Sequence, residues 1–317
     1  MRSAFQSSLV LLDEGLAIYR RNLGPFILLA AIWFVPIAIL TGLAVVIFSW
    51  ADELQKVLLV LSGLLLLLPL LIYLMAVLSR AAGDAIDGRP IQLRGALAIP
   101  PLRIVSMTIF AGIYAIVMQI FSGIISLVCI CPAYVVGSIV MAGVFGSIGG
   151  STSILSNAAL LIAGLVIASG NLLSMALGGA ALNSVVYGLQ PWASGNLRFG
   201  VALEQSMALI AYRIGSNVLV CALAAIAIGA GGLSVAIVIG LAIPLPTMWL
   251  LGEESPVAQA ISVAAWLAGL MVVVPPLPIW MALLHRRSMA ARDGLELSEK
   301  VSRWEESYGT AEPGISG

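Results

Sequence analysis

Long apolar stretches without a single charge alternate along this chain with short segments in which polar and apolar residues recur at helical spacing. No Asp, Glu, Lys, Arg or His falls in 26–51, 57–79, 104–197, 214–252 or 257–284, and the longest of these stretches is 94 residues. A hydrocarbon core of roughly 30 Å takes about 20 residues at 1.5 Å each, so every stretch holds at least one crossing. Backbone polar groups in lipid must be satisfied within the protein, which leaves helices or closed barrels. Nothing here has the alternating ten-residue pattern of a barrel strand, so the pattern predicts an all-α transmembrane protein of about six spans.

Residues 4–23 come first, with Phe5, Leu9, Leu12, Leu16, Tyr19 and Leu23 at spacings of 4, 3, 4, 3, 4 on one face. This predicts a cytoplasmic interfacial helix, apolar face down, with Arg20 and Arg21 at head-group level. Asn22 and Gly24-Pro25 lead into a span at 25–49, and Trp50, Asp52 and Glu53 mark an outer loop. The span 57–79 carries Pro69, a predicted kink. After a joint at Arg80–Arg103, Leu93 and Leu97 form a short amphipathic piece closed by Pro100-Pro101. The region 104–197 needs an even number of crossings, because Arg103 and Arg198 share a side. The expected division is two spans near 103–128 and 160–187, with 132–150 after the kink at Pro132 as a short re-entrant or outer-leaflet helix. The alternative is four short spans turning at Gly149-Gly150-Ser151 and near Gly170-Asn171. Phe199, Leu203, Met207, Ile210 and Ile214 open a third amphipathic helix. An apolar run over 214–251 follows, and the last span, 257–284, breaks at Pro275-Pro276-Leu277-Pro278.

The chain also repeats itself. Residues 69–88 laid on 275–294 without a gap give nine identities in twenty, among them Pro69/Pro275, Arg80/Arg286, Asp87/Asp293 and Gly88/Gly294. The unit reads as amphipathic helix, span, acidic outer loop, kinked span and basic exit. Two crossings per copy make the copies parallel, related by an axis along the membrane normal. This predicts two or three parallel hairpin repeats, about 1–88, 89–195 and 196–297, in one membrane domain, 1–297, with a polar cytoplasmic tail at 298–317.

Composition agrees with the pattern: 61% of residues are hydrophobic and 9% charged, and the mean hydropathy is +1.10. Charge adds orientation. Fourteen of the fifteen basic residues fall on one side if the stretches cross in pairs, leaving Lys56 opposite. Eleven acids share the basic side and four lie opposite, so the faces carry +3 and −3. The positive-inside rule then places both termini in the cytoplasm.

Short motifs at the joints resemble a bacterial membrane family, that of the glycerophosphoryl diester phosphodiesterase membrane domain and its YciC-like relatives. They are Ile18-Tyr19-Arg20-Arg21-Asn22, Gly88-Arg89-Pro90 with Leu93-Arg94-Gly95-Ala96-Leu97, and Ala202-Leu203-Glu204-Gln205-Ser206. The exit Leu283-Leu284-His285-Arg286-Arg287 through Leu297 is similar to its C-terminal signature, which usually has aromatics where His285 and Arg286 stand. The resemblance implies a six-span fold in a bacterial inner membrane. The phosphodiesterase of that family is a separate soluble barrel, for which this chain has neither the length nor the clustered His, Glu and Asp.

Catalytic chemistry is sparse. The spans hold no ionisable residue of the kind that marks proton relays or ion sites. The single histidine, His285, stands at the inner interface, where a metalloprotease would need His-Glu-x-x-His. Cys129, Cys131 and Cys221 read as inert thiols in apolar surroundings. The expectation is a protein that is not an enzyme and needs no cofactor or metal. Two residue sets are candidates for contact. Arg20, Arg21, Arg103, Arg213, Arg286 and Arg287 could gather anionic lipid head groups. Gln119, Asn157, Asn171 and Asn183 could bond helix to helix or line a path for a neutral substrate. Small-residue ladders at Gly146-x-x-x-Gly150, Gly164-x-x-x-Ala168 and Gly232-x-x-x-Ala236-x-x-x-Gly240 predict close helix packing. The expected role is membrane or lipid organisation or that of an accessory subunit, the alternative a permease or channel for a neutral or lipidic substrate. Membrane lipids and either a protein partner or a second copy are the expected company, with no nucleic acid.

Overall fold

The computed structural model describes residues 2–147, 154–194, 199–212, 214–252, 255–292, 294, 297–298 and 301–304. Among them the ordered elements are all helices: α1 (Arg2–Arg21), α2 (Leu23–Phe48), α3 (Glu53–Ile86), α4 (Leu93–Leu97), α5 (Pro101–Ser147), α6 (Ile154–Gly188), α7 (Gln190–Ser194), α8 (Phe199–Ala211), α9 (Ile214–Ala242), α10 (Pro244–Leu251), α11 (Pro256–Val273) and α12 (Pro276–Arg292). Among the described residues six segments are long and apolar enough to cross a membrane: α2, α3, Pro101–Val128 of α5, Leu161–Ala193 of α6 with α7, α9 with α10, and α11 with α12.

Helix ends follow from local chemistry. Asp52 and Gln55 form a capping box at the start of α3, the Asp52 N–H donating to Gln55 Oε1 at 3.2 Å. Gly88, at φ 66°, carries the chain out of α3 through a left-handed turn closed to strand-like or helical L residues. Gly294, its match in the sequence repeat, has φ 71°.

The expected break at Pro132 is absent. α5 runs unbroken for 47 residues through it, and the predicted re-entrant helix at 132–150 is, as far as Ser147, its continuation. The reason is packing just beyond the proline. Tyr134 and Asn171 exchange hydrogen bonds between α5 and α6, and Gly137 lies so close to Ile167 that an added Cβ would stand 2.8 Å from its side chain. These contacts offset the one backbone bond that proline removes. Nor does the chain turn near Gly170-Asn171, since α6 is continuous there. Pro69 likewise sits inside α3, whereas Pro275 separates α11 from α12. The two matched prolines differ because Pro276 and Pro278 follow the second, and Pro276 takes the first position of a new helix, where a missing N–H costs nothing.

The spans pack as a ring in chain order: α2 on α3, α3 on α5, α5 on α6, α6 on α9, α9 on α11, and α11 back on α2. α1 packs on α12, α4 on α3 and α8 on α6. Burial is uneven. The core residues of α3 (Ile72 to Ala82), α5 (Met107 to Tyr114), α6 (Ala180 to Tyr187) and α12 (Leu277 to Leu284) all lie toward the arginine-bearing joints. The far halves are apolar and open: Leu58, Leu65 and Leu66 of α3 and Ile116, Ile120 and Ile124 of α5 are all more than half exposed. Of the small-residue ladders, Gly164 and Gly232 have no neighbour within 4 Å of an added Cβ. Close approach occurs instead at Gly15, Gly137, Gly179 and Gly269.

α1 docks by a different edge from the one its periodicity marks. Ser8, Leu11, Leu12, Gly15 and Tyr19 are buried, while Phe5, Leu9 and Leu23 are exposed. Trp280 of α12 lies against Gly15 and donates its indole N–H to Leu12 O at 2.9 Å. Tyr19 donates to Val272 O at 3.0 Å, and Arg287 pairs with Glu14.

Candidate functional site

The polar groups of greatest consequence meet where α3, α4 and α12 converge, because α3 ends there in a turn that cannot continue as helix. Asp87 caps α3, Gly88 reverses it and Pro90 blocks any further helical bond. The short α4 then folds back, and Tyr73 of α3 donates to its Leu97 O.

Arg80, one turn and a half before the end of α3, reaches across this fold. Its Nε donates to Ala193 O at 2.8 Å and its Nη1 to Ala98 O at 2.9 Å, the carbonyls that end α7 and α4. Terminal carbonyls have no partner inside their own helices, so the guanidinium fills two vacant acceptor positions. Gln190 of α7 adds a bond to Ser79 Oγ at 3.0 Å. From α12, Arg286 donates to Gly83 O at 3.2 Å and pairs with Asp87. Arg89 pairs with Asp84 at 3.3 Å and with Asp87 at 2.6 Å.

Between these side chains lies a cavity of about 690 Å³, lined by Arg80, Asp84, Arg89, Gln92 and Arg286 among others. Three cations face two carboxylates, a net charge of +1. Both carboxylates are engaged by Arg89 and Arg286, and no ion pair among the described residues includes Arg80. Half-buried and held by two neutral carbonyls, Arg80 keeps its full charge toward the cavity and three of its five N–H groups for other acceptors. Arg103, half-buried at the start of α5, lies near enough for the two positive charges to repel.

The hydrogen bond from Arg286 holds the Asp87 carboxyl below the usual carboxylate range; partial burial opposes this, and the charges of Arg286 and Arg89 add to it. A depressed carboxyl stabilises the fold above its unfolded-state value near pH 4, and that contribution disappears as pH falls below it through the folded value. Acidification from about pH 5 to 3 is therefore expected to lower the melting temperature of wild-type protein more than that of Asp87→Asn. Parallel melting curves of the two proteins across that window would show that the Asp87–Arg286 contact does not contribute.

The structure divides the arginines singled out from sequence. Arg286 lines the cavity and Arg103 lies beside Arg80, whereas Arg287 joins α1 through Glu14. Arg20 and Arg21 are exposed at the end of α1, and Arg213 lies outside the described residues. Arg80 and Arg89, which complete the cavity, were visible only as charges in the joint; the match of Arg80 to Arg286 in the repeat was the signal for the first.

The neutral polar residues do not converge. Gln119 is exposed and accepts from Ser122, Asn171 bonds Tyr134 and Ile167 O, and Asn183, buried, donates to Cys221 O of α9 at 2.9 Å. Asn157 is on α6, with its side chain outside the described residues. Asn171 and Asn183 thus join helices rather than line a shared path. His285 packs edge-on against Tyr187. Comparison of the chain with family models, with curated proteins and with solved structures finds no match.

Proposed function

We propose that this multi-pass membrane protein organises anionic lipid at its basic face, as a non-catalytic component of a bacterial inner membrane with both termini cytoplasmic. The observation that carries this reading is the 690 Å³ cavity into which Arg80 turns a charge with no carboxylate partner, beside Arg89 and Arg286. A phosphate head group is the complement of such a site: it is anionic, accepts several hydrogen bonds, and lies at the depth where basic joints meet a bilayer. The arginine excess on the same side of the chain supports the cytoplasmic orientation. Membership of the phosphodiesterase membrane-domain and YciC-like family is part of the proposal, supported by the resemblance of Gly88-Arg89-Pro90, two of whose residues line the cavity. Parallel repeats belong to it too, supported by the shared backbone of Gly88 and Gly294.

The test is native mass spectrometry of protein extracted with its surrounding lipid. Each arginine near a membrane surface contributes about 1 kcal/mol toward anionic lipid, roughly fivefold in affinity. The double variant Arg80→Gln, Arg89→Gln is expected to bind phosphatidylglycerol about 30-fold more weakly than wild type. Equal retention of anionic lipid by both proteins, or no preference of wild type for anionic over zwitterionic lipid, overturns the reading.

A further inference from the structure

A second site, away from the arginines, lies between α5, α6, α8 and α9. A cavity of about 260 Å³ is walled there by Met118, Phe121, Leu177 and Val218, almost wholly apolar. It adjoins a groove of about 370 Å³ along α5 beneath α8, and Tyr114, Met118, Phe121 and Ile210 line both. The groove opens on the exposed side of α5, where Ile109 and Ile113 are 54% and 61% exposed on a candidate span. Each volume approaches the lower end of the range for small-molecule sites, and the two are contiguous.

One group in this space lacks what burial demands. The Tyr114 side chain is 8% exposed and its hydroxyl makes no hydrogen bond. The Ser184 hydroxyl lies near enough for a weak polar contact with it but not at hydrogen-bond distance and angle, and gives its own proton to Ala181 O. A buried hydroxyl without a partner costs roughly 1–3 kcal/mol, which a ligand oxygen would recover. The required ligand is therefore long and apolar with an acceptor at one point.

We infer that this crevice holds one acyl chain of a membrane phospholipid, its ester carbonyl accepting the Tyr114 O–H. The chain lies along Met118, Phe121, Leu177 and Val218 and enters from the lipid-facing side of α5. Its source is the bilayer itself, because the groove opens where α5 faces lipid. This assignment is independent of the arginine cavity and shares no residue with it.

The protein reconstituted in phosphatidylethanolamine vesicles carrying a small fraction of phospholipid with a diazirine midway along one acyl chain tests this. After irradiation, adducts mapped by peptide sequencing are expected on Leu177 and on Cys221, which is 2% exposed in the cavity wall, as well as on the outward-facing Ile116. Ala181→Phe, which fills the cavity, should reduce the inner adducts at least fivefold while leaving Ile116 labelled. Tyr114→Phe, which removes only the hydroxyl, should reduce them about two- to threefold. Labelling confined to outward residues of α5 in the wild-type protein overturns the inference whatever the variants do. So does labelling of Leu177 and Cys221 by a diazirine fatty acid when the phospholipid probe leaves them untouched.

Discussion

Gly15→Leu is expected to detach α1 from the bundle and to lower thermal stability more than any surface substitution in that helix. A Cβ at this position would stand 2.3 Å from Trp280 Cδ1 and 2.8 Å from its Nε1, well inside contact distance. The ring cannot yield, because Trp280 is 3% exposed and its indole N–H is held by Leu12 O. Overpacking of this kind costs about 1–3 kcal/mol by itself, and displacement of the indole adds its lost hydrogen bond. Trp280→Ala attacks the same contact from the other side, leaving a cavity at a cost of about 3–5 kcal/mol. The combination Gly15→Ala with Trp280→Leu should be less harmful than the sum of its parts, since the smaller side chain makes room for the methyl. Melting curves in detergent micelles measure these proteins together with wild type and the single variants Gly15→Ala and Trp280→Leu. Strict additivity of the last pair would mean that Gly15 and Trp280 do not touch.

The second large effect is expected at Ser206, which is 0% exposed between α6, α7 and α8. Its hydroxyl receives the Trp192 indole N–H at 3.1 Å and faces Gly188 O at 2.7 Å and Ala202 O at 2.8 Å. Ser206→Ala removes only the hydroxyl and with it the oxygen that receives the indole proton, so a loss of about 1–3 kcal/mol is expected. Trp192→Phe on the same background removes the donor as well. Because a pair of polar groups removed together costs less than one removed alone, the double variant should recover part of the loss. A double variant that loses the full sum of the Ser206→Ala and Trp192→Phe losses would show that the bond is not what Ser206 contributes.

How much of this was legible beforehand depends on which force sets each feature. The spans could be read because the bilayer imposes their length and composition locally: 25–49 and 57–79 appear as Leu23–Phe48 and Glu53–Ile86, longer at the ends where interfacial residues continue the helix. The exit glycine could be read from its neighbours, and Gly88 has the positive φ its turn requires. The docked edge of α1 could not. Ser8 and Gly15 carry no hydrophobic signal, and Gly15 is covered by a tryptophan 265 positions away. Pro132 misled because its local cost was visible and the compensating contacts of Gly137 and Asn171 were not. The arginine cavity was half legible. Its charges stood in the joint, but which of them would meet depended on α12 reaching Asp87, a contact across 199 positions. The Tyr114 crevice left no mark, since an aromatic on an apolar span looks the same whether its hydroxyl has a partner or not.

The ring closes through its two ends, and that ties the fold to the order of translation. α2 rests on α11, and α1 is fastened to the last hairpin, to α12 through Trp280 and Arg287 and to α11 through the bond from Tyr19 to Val272 O. α1 is therefore made well before the α11–α12 hairpin on which it rests, and until then it meets only α2 and, later, α9. While the intervening spans insert, Leu12 and Gly15 lack the Trp280 ring that covers them in the finished fold. A nascent chain stalled before its final hairpin therefore displays an undocked N-terminal helix, a mark by which a membrane protease could tell unfinished molecules from finished ones.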